Sequence, residues 1–294
     1  MRVTDRLLFE SASRYAGIAR EKMDSAQREV HTGLRVRHPG DDPTAAGLIV
    51  AGRSNVERLQ SLSQTMGRVS DELLVADTAL AGVTTSLMRI QQLATSLGNE
   101  TNGPEALQAG ALEVDALRQN ILSLLNTQSS GRYIFGGNQD AAPPFDPSGA
   151  YLGDAGVRQV EIAPGIYQTF SVRMDEAIAG AGGAVDVMAT IQDLIAALQA
   201  GDNAAVRSTL DDLQRSITQV AGARTRIGAS MSIIEAAMNV GGMLEDGAVE
   251  GLARLTDADQ FESMSKLVLA QRALDAALTA SASSFRLTII DKLR

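Results

Sequence analysis

Two histidines, His31 and His38, are the residues of this sequence best suited to proton transfer or metal binding near neutral pH. A catalytic base needs a nucleophile or an orienting carboxylate within reach. His31 and His38 stand near the end of an N-terminal helical stretch and in the loop after it, and no partner is identifiable for either. They read as surface residues. Asp41 and Asp42 have the composition of a metal site, but they directly precede Pro43. An acidic side chain there caps free helix N–H groups, and proline suits the first helical position. The stretch "RYIFGG", residues 132–137, sets close glycines after a short apolar run without the spacing of a dinucleotide or phosphate loop. It reads as a turn and strand edge. Cysteine is absent, which excludes disulfides, thiolate nucleophiles and thiolate-ligated metals. Met66, Met231 and Met238 fall in apolar stripes and read as core. No nucleophile–base pair, zinc spacing or phosphate cradle emerges, so the expected protein is not an enzyme and needs no cofactor.

Composition narrows the class further. The 294 residues are 45% hydrophobic but only 3% aromatic, with no tryptophan, so alanine and the aliphatics must do most of the packing. Such a chain leans towards helices and coiled coils. A net charge of −9 lacks the basic footprint of a nucleic-acid binder. Arg2, Asp5, Arg6, Glu10 and Arg14 interrupt any signal-peptide core at the N-terminus. No uninterrupted apolar run approaches the ~18 residues of a membrane span. The expected partners are therefore proteins, not nucleic acid, membrane or a small-molecule substrate.

The elements carry the strongest signal. From Leu59, apolar residues recur at three-four spacing through Leu62, Met66, Val69, Leu73, Ala76, Leu80, Val83, Leu87, Ile90, Ala94 and Leu97. That is an a/d seam. The helix starts just before Thr44 and ends at Gly98-Asn99. A second helix, from about Pro104 to Gln128, places Leu107, Gly110, Val114, Leu117, Ile121 and Leu124 on its seam. A short one follows through Val187, Ile191, Leu194 and Leu198. A long one runs through Leu210, Leu213, Ile217, Val220, Arg224, Ile227, Met231, Ile234 and Met238, with Arg224 its single polar slot. Residues 44–97 as continuous helix measure about 80 Å. A compact domain of this chain length is only roughly 50 Å across. The expected architecture is mainly α: an elongated antiparallel helical rod, a coiled-coil-like bundle of N- and C-terminal parts, with a small mostly-β inserted domain.

Between Gly131 and Asp175 the composition changes, gathering Tyr133, Tyr151, Tyr167, Phe135, Phe145, Phe170 and four of the seven prolines. "RQVEI" and "YQTFSV" alternate apolar and polar around an "APG" turn, as half-buried strands do. This reads as a β insertion mounted at the far end of the rod.

Both chain ends carry weaker stripes: Phe9, Ala12, Ala16, Ala19, Met23, Ala26 and Val30 at the start, then Met264, Leu267, Gln271, Leu274, Leu278, Ser281 and Phe285. Burial is worth about 0.8 kcal/mol per methylene-sized group, so an alanine-rich seam gains little. The ends are expected to be marginal in a monomer and to order by packing on other copies. The subunit-packing residues so assigned are Phe9, Ala12, Ala16, Ala19, Met23, Ala26, Val30, Met264, Leu267, Leu274, Leu278 and Phe285. The organisation becomes an assembly helix and linker (1–43), rod helices (44–130), a β-rich outer domain (131–183), returning rod helices (184–255) and a C-terminal assembly helix (256–294).

Several stretches together resemble the flagellin superfamily. "HTGLRVRHPGDDPTAAG" resembles its link between the terminal helix and the next. "RTRIGASMSIIE" and "RLTDADQFESMSKLVLAQRALDAALTAS" resemble its C-terminal region. "SSGRYIFGGNQDAAPPF" followed by "YLGD" is similar to the members that build the hook–filament junction, and "MRVTDRLLFE" departs from the "INTN"-like opening of many flagellins. The resemblance implies a structural protein exported unfolded through the flagellar type III apparatus and assembled outside the cell as a ring. Implied partners are copies of itself, flagellin, a neighbouring hook-associated protein and an export chaperone. The alternatives are a flagellin of the filament and, from another class, a cytosolic coiled-coil adaptor.

Overall fold

The computed structural model describes the backbone of residues 2–99 and 102–290 and the side chains of residues 10–99 and 102–282. The chain divides into two compact units, one made of Met1–Arg58 with Leu244–Arg294, the other of Leu59–Met243. Eight α-helices are described: α1 (Arg2–Thr32), α2 (Pro43–Leu97), α3 (Pro104–Leu125), α4 (Met174–Ala177), α5 (Val187–Ala200), α6 (Asn203–Ser208), α7 (Leu210–Thr256) and α8 (Gln260–Ile290). Four short strands, β1 (Gln128–Ser129), β2 (Arg132–Tyr133), β3 (Gln159–Ala163) and β4 (Ile166–Thr169), form two antiparallel pairs. The protein is mainly α, as its seams imply.

The central unit is built on α2. Nine slots of its seam, Met66 to Ala94, are buried, while Leu59, Leu62 and Leu97 are half-buried at the margins. Helix α3 runs back antiparallel along α2. Arg89 pairs with Glu113 at 2.6 Å, and Asn120 donates to the Ser86 hydroxyl at 3.2 Å. The backbones approach closely where glycine permits it: a side chain at Gly110 would collide with Leu97, and one at Gly82 with Leu124. The α3 seam buries Leu107, Gly110, Val114 and Ile121, but its last slot goes to Leu125 and not to the expected Leu124. A helix turning at 3.6 residues drifts off a 3.5-residue stripe. In α5, Val187, Ile191, Leu194 and Leu198 are all buried, and Asp186 caps the helix by accepting from Ala189 N at 2.9 Å. Along α7, Leu213, Val220, Ile227 and Ile234 are buried. Its polar slot, Arg224, grips Asp77 of α2 with both Nε and Nη2, at 3.0 and 3.1 Å.

Two stretches, one in α2 and one within 203–256, are long and apolar enough to cross a membrane by length and composition alone. Neither is an unbroken apolar run. In α2, 44% of that window is buried in protein, against 11% in 203–256. The apolar character of α2 is largely that of a core helix, whereas α7 keeps Ile233, Val240 and Met243 at its surface.

The midsection follows the expected strands but not the expected position. In the β1–β2 turn Ser130 and Gly131 have φ of +52° and +79°, the paired positive values that a tight hairpin requires. Strand β3 pairs with β4 around Gly165. Phe135, Phe145, Val160 and Phe170 bury into the same cluster as Leu73, Ala76 and Leu80. Arg158 ties this layer to α2. It pairs with Glu72, donates to Ile134 O at 3.2 Å, and stacks over the Phe170 ring at 5.1 Å. The insertion therefore lies beside residues 72–80 of α2, not at the far end of the hairpin. Antiparallel α3 carries the chain back before the insertion begins, roughly 37 Å along α2 from Leu97 to Glu72. The far end is covered by α6, where Arg207 donates to Gly98 O at 2.8 Å.

Candidate assembly surfaces

In the terminal unit the linker after α1 is fixed by its own polar groups. Gly33, at φ +68°, ends the helix. Arg35 N donates to Thr256 O at 2.7 Å, and Ala258 N to Gly33 O at 2.8 Å. Asp42 Oδ1 accepts from Thr44 N and Ala45 N at 3.1 and 3.0 Å, the cap expected of it, while its other oxygen takes Arg35 at 3.1 Å. Asp41 accepts from Arg37 N and His38 N, both at 3.0 Å. These backbone bonds hold the Asp41 carboxyl below its usual range, and the Ala45 amide with Arg35 does the same for Asp42. Both carboxylates are thus occupied by turn and cap geometry. Behind them Val36, Ala45 and Ile49 pack with Leu252 and Leu255 as a small core. His31 and His38 are exposed.

Helices α1 and α8 pack antiparallel. Glu29 accepts from Ser263 at 2.9 Å and pairs with Lys266 at 3.3 Å. The Lys266 ammonium, held by Glu262 first and Glu29 second, keeps its proton more tightly than an isolated lysine. Of the proposed subunit-packing residues, Ala19 and Ala26 are buried, and Ala12, Ala16, Met23 and Val30 are half-buried. These α1 positions are covered within the chain, almost fully at Ala19 and Ala26 and in part at the other four. Alanines gain little per residue but admit a close neighbour, and α8 supplies one. Phe9 and Phe285 lie outside the residues whose side chains are described.

The C-terminal stripe splits. Helix α8 turns Ser263, Leu267, Ala270, Leu274, Ala277 and Ser281 inward. Met264 and Leu278 remain 59% and 52% exposed, so only Leu267 and Leu274 of the expected set join the intramolecular seam. Sequence reasoning missed Phe261, Val268 and Leu269, all exposed on α8, and Tyr15 and Ile18 on α1. The signal for Phe261 and Val268 was present as a second three-four stripe interleaved with the first.

This architecture has known counterparts. Residues 6–140, spanning most of α1, all of α2 and α3, and the first hairpin, match the family profile described as the bacterial flagellin N-terminal helical region. Flagellar hook-associated protein 3 of Escherichia coli is 24% identical over 305 residues, covering 95% of this chain and 96% of its own. The protein of the same name from Salmonella typhimurium is 26% identical over 303 residues, covering 94% of each. The chain is similar to flagellar hook-associated protein 3 over nearly its whole length. A Vibrio parahaemolyticus protein described as flagellar hook-associated shares the fold, with a TM-score of 0.68 at 20% identity over 74% of this chain and all of its own. The curated relatives are named for a flagellar structure rather than for a reaction.

Proposed function

We propose that this protein is a structural component of the bacterial flagellum that joins the hook to the filament as a ring of subunits. The observation that carries the reading is the match to flagellar hook-associated protein 3 over nearly the whole chain. The residues agree with it. The terminal unit keeps large apolar side chains at its surface on α1, α8 and the adjoining parts of α2 and α7, among them Tyr15, Leu48, Val50, Leu244, Phe261 and Met264. Such surface in a monomer marks contact with other protein. The partners are sister copies, flagellin and a neighbouring hook-associated protein. Export through the flagellar apparatus, with a chaperone, delivers the chain outside the cell. A strain deleted for this protein is expected to release flagellin into the medium and lose attached filaments. Normal swimming with attached filaments overturns the proposal.

One observation favours a second reading, a filament flagellin: the profile matched over 6–140 is a flagellin profile. Purified protein polymerising alone into long filaments supports that reading against the junction.

A further inference from the structure

The α1–α8 pair has two unlike flanks. Along the outside of α8, Phe261, Met264, Val268, Gln271, Asp275 and Leu278 succeed one another at three-four spacing, all exposed, with Phe261 at 89%. On the opposite flank an open cleft of about 440 Å³ lies between the helices, lined by Lys22, Ser25 and Ala26 of α1 and by Leu269, Ala270 and Ala273 of α8. A stripe at three-four spacing serves one helical partner. Helix α8 carries two such stripes, and α1 of the same chain fills only the inward one. The outward ridge is built for a second protein surface.

The occupant is read from charge and shape. Glu29 and Lys266, which also line the cleft, pair with each other at 3.3 Å, whereas Lys22 at the cleft and Asp275 in the ridge have no ion-pair partner among the described residues, so ridge and cleft complement one another in sign. The terminal unit contains sixteen Lys/Arg and sixteen Asp/Glu, whereas Leu59–Met243 contains ten and nineteen and carries the entire net charge of −9. Copies meeting through their terminal units do so without net repulsion, while the central units resist close approach. A convex apolar ridge and a concave apolar cleft also match the helix-in-groove mode of recognition.

We propose that the outward ridge of α8 in one copy seats in the α1–α8 cleft of the next. The contact rests on the ring reading above and deepens it by naming the interface. Ridge and cleft are different patches of one subunit, so the contact is heterologous. It repeats head to tail and closes into a ring or winds into a helix, and it does not stop at a two-fold dimer.

The absence of native cysteine makes the test direct. Full-length Ser25→Cys and Val268→Cys, carrying tags of different size, are mixed at high concentration and oxidised. Both positions are exposed, and circular dichroism confirms that each variant folds. The mixed disulfide is expected to exceed either homodimer severalfold, and Met264→Asp added to the Val268→Cys copy to bring it down to the homodimer level. Val268→Cys dimerising alone as readily as in the mixture shows ridge meeting ridge and overturns the proposal. Failure of any mixed disulfide to form overturns it too. Neither result touches the junction reading, which depends on where the protein sits in the flagellum.

Discussion

Replacing Phe145 by alanine separates an insertion with its own core from one held by the helices. Phe145 is 1% exposed within the cluster that includes Leu80 and Val114, its ring lies 5.1 Å from Tyr151, and its backbone is held on both sides by Asn126 at the end of α3. Truncating a buried phenylalanine costs about 3–5 kcal/mol. Loss of the tilted ring pair with Tyr151 adds about 0.5–1.5 kcal/mol. With a urea slope of about 3 kcal/mol per molar, the midpoint of the central unit falls by roughly 1–2 M. Far-UV circular dichroism follows the helices, and tyrosine fluorescence follows the midsection, which holds Tyr133, Tyr151 and Tyr167. If the core is shared, both signals shift down together in one transition. A helical transition left at the wild-type midpoint while tyrosine fluorescence is lost early would show a self-contained insertion and refute the reasoning.

Other perturbations read other contacts. A double-mutant cycle of Asp77→Ala and Arg224→Ala is expected to return a coupling of about 0.5–1 kcal/mol for this two-pronged, partly exposed pair, measured by urea unfolding; additive effects contradict its place as the polar slot of the seam. Asp186→Ala removes the α5 cap and lowers stability by about 1 kcal/mol. Burial, with Asp175 and Asp154 nearby, pushes the Tyr151 phenol up to about 12. Its contribution is complete below the ordinary tyrosine value and is lost as pH rises through about 12, so Tyr151→Phe flattens the alkaline fall in thermal stability. Asp175 is shifted the other way, held low chiefly by the Arg173 hydrogen bond. Its contribution exists above the usual carboxylate range and fades as pH falls through its depressed value, so Asp175→Asn costs stability at neutral pH but nothing in strong acid.

The long seams were legible because their pattern is dense: an uninterrupted stripe from Leu59 to Leu97 buries the same face wherever its partner lies, and Asp42-Pro43 specifies a helix start by local chemistry. The position of the insertion was not legible. It depends on how far antiparallel α3 returns along α2, which is set by close approach at Gly82 and Gly110, between residues distant in sequence. The division of α8 into two faces was not legible for a related reason: an alanine-lined α1 is matched by small residues, so Ser263, Ala270, Ala277 and Ser281 turn inward with Leu267 and Leu274, while Met264 and Leu278 stay exposed. Arg224 was visible as an interruption, and its partner Asp77 only in three dimensions.

Immunogold electron microscopy of flagella labelled for this chain most directly tests whether its task is to pack against sister molecules at one level of the flagellum. A narrow band of label between hook and filament is the expected result. Label spread along the filament, or confined to the cell interior, contradicts it.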